Sequence, residues 1–251
     1  MFNISYILWG VSVLKFVFFD LDGTLGYVSD REMFIKCFID NLVDVALEET
    51  NLERRIVSDT FLKVIWDIRM NPPLVRTVID EFCMQVARKL NIASTTIRRI
   101  VDRYYDERFH LLKRFYSPIG GNRETIETLL NNGFNVGIAT DPVTKALAVD
   151  FRLRWAKIED LSYCLITHGE NMHAAKPHPA YFEEILRKCN VKAREVVMVG
   201  DDLLQDISGA KRAGMQTILV KTGVKRNLNV KPDFEAESIR EVPEILIKLK
   251  G

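Results

Sequence analysis

The run Phe16-Val17-Phe18-Phe19, broken at once by Asp20-Leu21-Asp22-Gly23-Thr24, constrains this chain more than any other feature. Apolar, β-favouring residues without polar alternation describe a strand buried on both faces, and such strands belong to parallel sheets covered by helices. The arrangement returns twice. Phe134 to Ala139 ends at Thr140-Asp141, and Val196 to Val199 ends at Gly200-Asp201-Asp202. Helical patterns alternate with these runs at about Glu124–Leu130 (closed by Asn132-Gly133), Lys145–Phe151, Pro179–Leu186, Asp206–Ala213 (stopped by Gly214) and Val242–Leu249. Short strands at Tyr163–Ile166 and Thr217–Val220 complete the order. Strictly alternating strands and helices predict an α/β fold with a doubly wound, Rossmann-like parallel sheet.

One stretch breaks the alternation. Between about Ser29 and Phe115 there is no glycine, proline occurs only as Pro72-Pro73, and apolar residues recur at helical spacing. Ser29 with Glu32 reads as a capping box ahead of Met33, Phe34, Phe38, Leu42 and Val45. Further helices are expected over Arg54–Arg69, Leu74–Leu90 and Thr95–Lys113, the last capped by Ser94. The expected division is therefore a core of residues 1–25 and 116–251 with an all-helical cap at 26–115. Met1 to Leu14 is apolar, but it lacks a positive leading region and runs straight into the strongest motif. It is read as an extra strand, an arm or the product of a misplaced start, and not as a signal or membrane segment.

Composition closes several function classes. A net charge of +1 over 251 residues, with no basic block, argues against nucleic acid as a partner. Cys37, Cys83, Cys164 and Cys189 are scattered without a CxxC pair, so they are expected to be reduced core cysteines of a cytoplasmic protein. A homodimer is left open.

In open parallel α/β sheets ligands bind beyond the carboxyl ends of the strands. Asp20, Thr140 and Asp201, distant in sequence, are thereby expected at one rim. Asp20 and Asp22 sit two apart with Gly23 behind them, and Asp201 adds a third anion. Carboxylates so close repel unless a cation lies between them, and a hard oxygen-liganded ion such as Mg2+ fits that donor set. Taken singly, Thr140 reads equally well as a plain turn after a strand and the lysine before Pro177 as a solvated residue.

Asp20-Leu21-Asp22-Gly23-Thr24-Leu25 resembles the first signature of the haloacid dehalogenase-like superfamily. Thr140 is similar to the second motif, Lys176-Pro177 to the third, and Gly200-Asp201-Asp202-Leu203-Leu204-Gln205-Asp206 to the fourth. All stand in the family's order over about Lys15 to Leu249, and the helical block resembles the family's cap. The resemblance implies that Asp20 is a nucleophile forming an aspartyl-phosphate and that Asp22 is the general acid and base. It implies that Thr140, the Asp141 backbone N–H and Lys176 bind the phosphoryl group. Mg2+ would be held by Asp20, the Asp22 carbonyl and Asp201, with Asp206 and Asp202 behind them. Asp206 reads equally as a helix N-terminal residue, and Asp202 and Asp141 depart from the residues common in the family.

The second aspartate favours a phosphatase over a dehalogenase, because an alkoxide needs a proton to leave and a halide does not. The expectation is thus a magnesium-dependent phosphatase acting on a small phosphorylated metabolite such as a sugar or triose phosphate. A phosphomutase, a 2-haloacid dehalogenase and a non-enzymatic receiver-like module follow in that order. His168, His173 and His178 are expected to face the surface or the cap and not to ligate metal. Tyr27 is expected at the cleft, while Trp66, Tyr104 and Tyr105 are expected to pack helices.

Overall fold

The computed structural model describes residues 14–221 and 229–250. The expectation for residues 1–14 thus lies outside the described residues, save for Leu14, which is buried.

The central sheet holds β1 (Phe16–Phe19), β4 (Asn135–Ile138), β5 (Val196–Gly200), β6 (Gln216–Val220) and β7 (Phe234–Ala236). Their order is β4-β1-β5-β6-β7, and every neighbouring pair is parallel. Alternate side chains enter two apolar layers, as the period of two requires. Val17, Phe19, Val197 and Val199 pack in the layer formed with α5 (Asn122–Asn131), α6 (Ala146–Ala156) and α9 (Val242–Lys250). Phe18, Val196 and Met198 pack in the layer formed with α7 (Pro179–Cys189) and α8 (Gly209–Arg212). The fold is the doubly wound, Rossmann-like α/β sheet expected. β1, the strand that ends at Asp20, lies between β4 and β5, so the three strand tips that carry polar residues are neighbours.

The chain leaves this core through β2 (Gly26–Val28) and returns through β3 (Tyr116–Pro118), which pair antiparallel. Between them stand α1 (Arg31–Glu49), α2 (Arg54–Met70), α3 (Val78–Leu90) and α4 (Ser94–Glu107). A 3-10 stretch, Phe109–Phe115, links them back to the core. Here Phe109 stacks on Trp155 at a centroid distance of 5.7 Å and meets Phe151 at 6.1 Å, so one aromatic side chain fastens the helical insert to α6.

Several boundaries differ from the sequence reading. Asp30, not Ser29, caps α1, its Oδ1 accepting from the Met33 N–H at 2.9 Å. Ser29 is already committed, its N–H bonding the Phe115 carbonyl as an extension of the β2–β3 ribbon. α3 starts at Val78 because Thr77 Oγ1 caps it, while the Leu74 N–H is drawn to the His173 carbonyl. α4 has Ala93 at its N-cap and stops at Glu107, short of Lys113. Residues 163–166 form only an isolated bridge, Ile138 to Ile166, beside β4. The helix expected from Asp206 begins as a wide turn, Leu203–Ser208, capped by Asp202, and only then tightens into α8. β7 and the β2–β3 ribbon were not foreseen.

Tyr104 and Tyr105 are buried as expected, but Trp66 is 61% exposed. The buried stripe of α2 is Val57, Phe61, Val64 and Ile68, and position 66 falls on the opposite side of a 3.6-residue period. No described helix is long and apolar enough to cross a membrane.

Phe109→Ala removes the aromatic link and leaves a cavity that the neighbouring rings fill only in part. Chemical denaturation should show a loss of about 3–5 kcal/mol; a loss below about 1 kcal/mol would show that the insert is held to the core without it.

Candidate active site

The turn after β1 is drawn tight by backbone bonds, Gly23 N–H to the Gly26 carbonyl at 2.7 Å and Gly26 N–H to the Leu21 carbonyl at 2.8 Å. Gly23 adopts φ +112°, where L side chains are rare, and a Cβ there would lie 2.4 Å from Asp201 Oδ2. The glycine therefore allows Asp201, at the tip of β5, to reach the Asp20 loop. Thr24 Oγ1 meets Asp201 Oδ1 at 3.3 Å.

One carboxylate oxygen from each of Asp20, Asp201 and Asp206 lies within 4.8 Å of the other two, all on buried residues. Lys176, fully buried, crosses this cluster and donates to Asp20 Oδ1 at 2.7 Å and to Asp206 Oδ1 at 2.6 Å. Burial opposes the charge on Lys176, but the two carboxylates more than offset it and hold its pKa well above the ordinary range. The acids respond the other way. Burial raises the Asp20 pKa against the pull of Lys176. It raises Asp206 to about 8, against Lys176 and with the repulsion of Asp20 and Asp201 added. Lys176 and the more distant Arg31, 4.0 Å from Asp201, leave buried carboxylates in excess, which favours the protonated form of Asp206. Clustered hard oxygens with surplus charge suit a divalent ion; Asp20 and Asp201 could hold it, while both Asp206 oxygens already accept, Oδ1 from Lys176 and Oδ2 from the Asp202 N–H.

Asp22 does not join this cluster with its side chain. Its carboxylate accepts from the Tyr116 hydroxyl at 2.9 Å and from the Arg152 guanidinium. Arg152 is buried on α6 and also donates to Thr144 Oγ1 at 2.9 Å and, at 3.4 Å, to Thr140 Oγ1. Thr140, just past β4, is fixed through its carbonyl, which accepts from Tyr181 and Thr167 hydroxyls at 2.9 Å each. The Asp141 carboxylate is held by Arg69 of α2, an ion pair between the helical insert and the core. Asp202 caps the turn that follows, its Oδ1 accepting from the Leu204 and Gln205 N–H groups. Asp206 accepts from the Asp202 N–H at 3.0 Å as well as from Lys176, which aims the lysine at Asp20.

A cavity of about 200 Å3 opens between core and insert, and Asp20, Thr140, Lys176 and Asp201 all line it. Asp22, Asp141, Asp202 and Asp206 reach the same space. Tyr27 does not line it; paired with Ser117 on the ribbon, it is 53% exposed. The three histidines are half-buried structural groups: His178 caps α7, His173 bonds Glu184, and His168 Nδ1 accepts from the Glu170 N–H.

Sequence reasoning missed Arg31, Arg69, Tyr116 and Arg152. For Arg152 a signal was present, because it falls on the buried stripe Ala148, Val149, Arg152, Leu153 and Ala156, where a lone arginine needs acidic partners. Arg31 opens α1 and lies 4.0 Å from Asp201, and nothing in its sequence neighbourhood marks it.

The parallel sheet brings acidic strand tips and a buried lysine together under a helical insert. The match to the haloacid dehalogenase-like hydrolase family over residues 17–220 shows that the chain belongs to it. A glyceraldehyde 3-phosphate phosphatase of Methanopyrus kandleri is 29% identical over 94% of this chain and 99% of its own length. The pyrophosphatase PpaX of Bacillus mycoides is 26% identical over 94% and 98%. Among solved structures, a 2-haloacid dehalogenase from Pseudomonas syringae pv. Tomato superposes with TM-score 0.63 at 23% identity, covering 94% of this chain and 99% of that one. The enzyme class expected from the sequence, a phosphatase of this family, agrees with the names of the curated relatives.

Gly23→Ala forces a side chain into the left-handed region and into Asp201. It should cost about 1–3 kcal/mol from the backbone alone, visible as a lower melting temperature, and a crystal structure of the variant should show Asp201 displaced. An unmoved Asp201 would refute the close-approach argument.

Proposed function

We propose that this hydrolase is a magnesium-dependent phosphatase that cleaves a small phosphate monoester through an aspartyl-phosphate on Asp20. The observation that carries it is the convergence of Asp20, Thr140, Lys176 and Asp201 on one cavity with room for a phosphoryl group. The reading takes 26–115 as a cap over a core of 1–25 and 116–251, and a cytoplasmic location agrees with the four free cysteines. Relatives named for a triose phosphate and for pyrophosphate support a substrate of that scale.

In this mechanism an Asp20 carboxylate oxygen attacks phosphorus as the bond to the ester oxygen breaks, and Asp22 as an acid gives the departing alkoxide its proton. Water then attacks the aspartyl-phosphate, Asp22 takes the proton, and phosphate leaves Asp20 regenerated. Arg152 and Tyr116 orient Asp22. Lys176 keeps Asp20 pointed and neutralises phosphoryl oxygens, while Thr140 donates a hydrogen bond to them. Mg2+ held by Asp20, Asp201 and the Asp22 carbonyl, with Asp206 behind it, would offset the charge of the phosphoryl group and the acids together. Asp22 is the residue that argues against a dehalogenase, since halide departs without a proton.

With Mg2+ present the protein should release phosphate from p-nitrophenyl phosphate, and Asp20→Asn should reduce this to background. Activity retained in Asp20→Asn would remove Asp20 as nucleophile.

A second expectation follows from Asp206. Its folded pKa of about 8 exceeds the ordinary carboxylate value, so the folded metal-free protein binds the extra proton. That contribution is present at low pH and is lost as pH rises from the carboxylate range through about 8. A cation replaces the proton, so added Mg2+ should raise the melting temperature more at pH 8 than at pH 5. An equal rise at both would place the ion elsewhere.

A further inference from the structure

The cleft continues past the phosphate cavity. A second cavity of about 220 Å3 adjoins it, and Asp22, Arg31, Ile35, Arg69 and Asp141 form the wall common to both. Away from that wall the lining turns apolar, with Phe34 and Phe38 from α1, Leu62 and Ile65 from α2, and Val143 after β4. The helical period sorts these groups. On α1, Arg31 precedes Ile35 by one turn and Phe38 by two; on α2, Arg69 follows Ile65 by one turn and Leu62 by two. Each helix sets a guanidinium at the carboxylate end and hydrocarbon beyond it.

Beyond the shared wall, the polar groups that reach the second cavity, Thr144 and Arg152, are engaged with each other, whereas on the wall Asp141 Oδ1 has no partner among the described residues and Arg31 only approaches Asp201 at 4.0 Å. Asp22 is held by Tyr116 and Arg152, and Asp141 Oδ2 by Arg69. Sugar hydroxyls entering beyond that wall would lose water and find little in exchange. Ile35 and Leu62, by contrast, are 51% and 47% exposed, apolar surface that is stabilised only when something covers it.

From these observations we infer that the second cavity receives the leaving group, and that the substrate is the phosphate monoester of a compact alcohol with an apolar body, not of a polyhydroxylated sugar. The inference rests on the phosphatase reading and narrows it. The ester phosphate sits among Asp20, Thr140 and Lys176, the ester oxygen crosses between Arg31 and Arg69, and the hydrocarbon lies against Phe38, Leu62 and Ile65. An apolar cavity of about 150 Å3 accommodates benzene, so this one accepts a body of roughly four to six carbons.

The test compares kcat/KM for esters matched in carbon count, n-propyl phosphate against glycerol 1-phosphate and n-butyl phosphate against erythritol 4-phosphate, with p-nitrophenyl phosphate as the common reference. The alkyl esters should lead by about tenfold or more. Polyol esters turned over as well or better, or p-nitrophenyl phosphate cleaved while both alkyl esters are refused, would overturn the chamber assignment and leave the phosphatase reading intact. No turnover of any ester would overturn the phosphatase reading and the assignment with it. Leu62→Asn, at a half-exposed position, should lower the ratio of kcat/KM for n-butyl phosphate to that for erythritol 4-phosphate about tenfold. An equal fall on both esters would overturn the assignment.

Discussion

The buried ammonium of Lys176 between Asp20 and Asp206 is the interaction on which the site depends. Removing one partner from a buried ion pair costs about 3–5 kcal/mol, because the remaining charge is stranded in a medium that solvates it poorly. Here the stranded groups would be carboxylates already crowded by Asp201. Lys176 is therefore structural and functional at once: it holds the tips of β1 and β5 together, and it leaves their combined charge negative. A site assembled this way is built to accept a cation and a phosphoryl group as a unit, since each offsets the charge that the other brings.

That electrostatic arrangement explains the placement of the surrounding cations. Arg31 and Arg69 come from the helical insert, and both meet core carboxylates, Asp201 and Asp141. The insert is thus drawn to the core at the cleft by charge and fixed away from the cleft by the Phe109–Trp155–Phe151 stack. Apolar contact sets where the insert sits, and ion pairs at the rim set what it faces. Ion pairs that remain partly open to solvent are exchangeable for ligand contacts in a way that the aromatic stack is not.

What was legible in the sequence follows the same physics. Buried strands are continuous apolar runs, and a polar residue that ends such a run is conspicuous; Asp20, Thr140 and Asp201 were found for that reason. Lys176 and Asp206 came only from the resemblance to the family's third and fourth motifs. The core helices were found by period and by stop residues such as Gly133 and Gly214. The misses have a common cause, which is competition decided in three dimensions. Ser29 and Asp30 are equally good caps in sequence, and only the pairing of β2 with β3 decides between them. Residues 163–166 have strand composition but make too few bonds beside β4 to become a strand. Trp66 looks like core until the phase of α2 is set by Phe61 and Val64.

Arg152 shows where sequence reading stops and why. A charged residue on a buried stripe demands a partner, yet the chain does not say which of many acids it will meet. The fold answers with Asp22, brought to α6 by the turn after β1, and with Tyr116, brought there by the returning strand of the ribbon. The residue proposed to move protons is in this way tied to the core by one group and to the root of the insert by another. Tyr116 opens β3 at the junction where the helices rejoin the sheet, and Gly26, paired with Pro118 on that ribbon, has no room for a Cβ, which would lie 2.0 Å from the Tyr116 hydroxyl oxygen. Any displacement of the insert that shifts this junction must also shift a hydrogen bond to Asp22, so the position of the helices and the orientation of that carboxylate are coupled through a single hydroxyl.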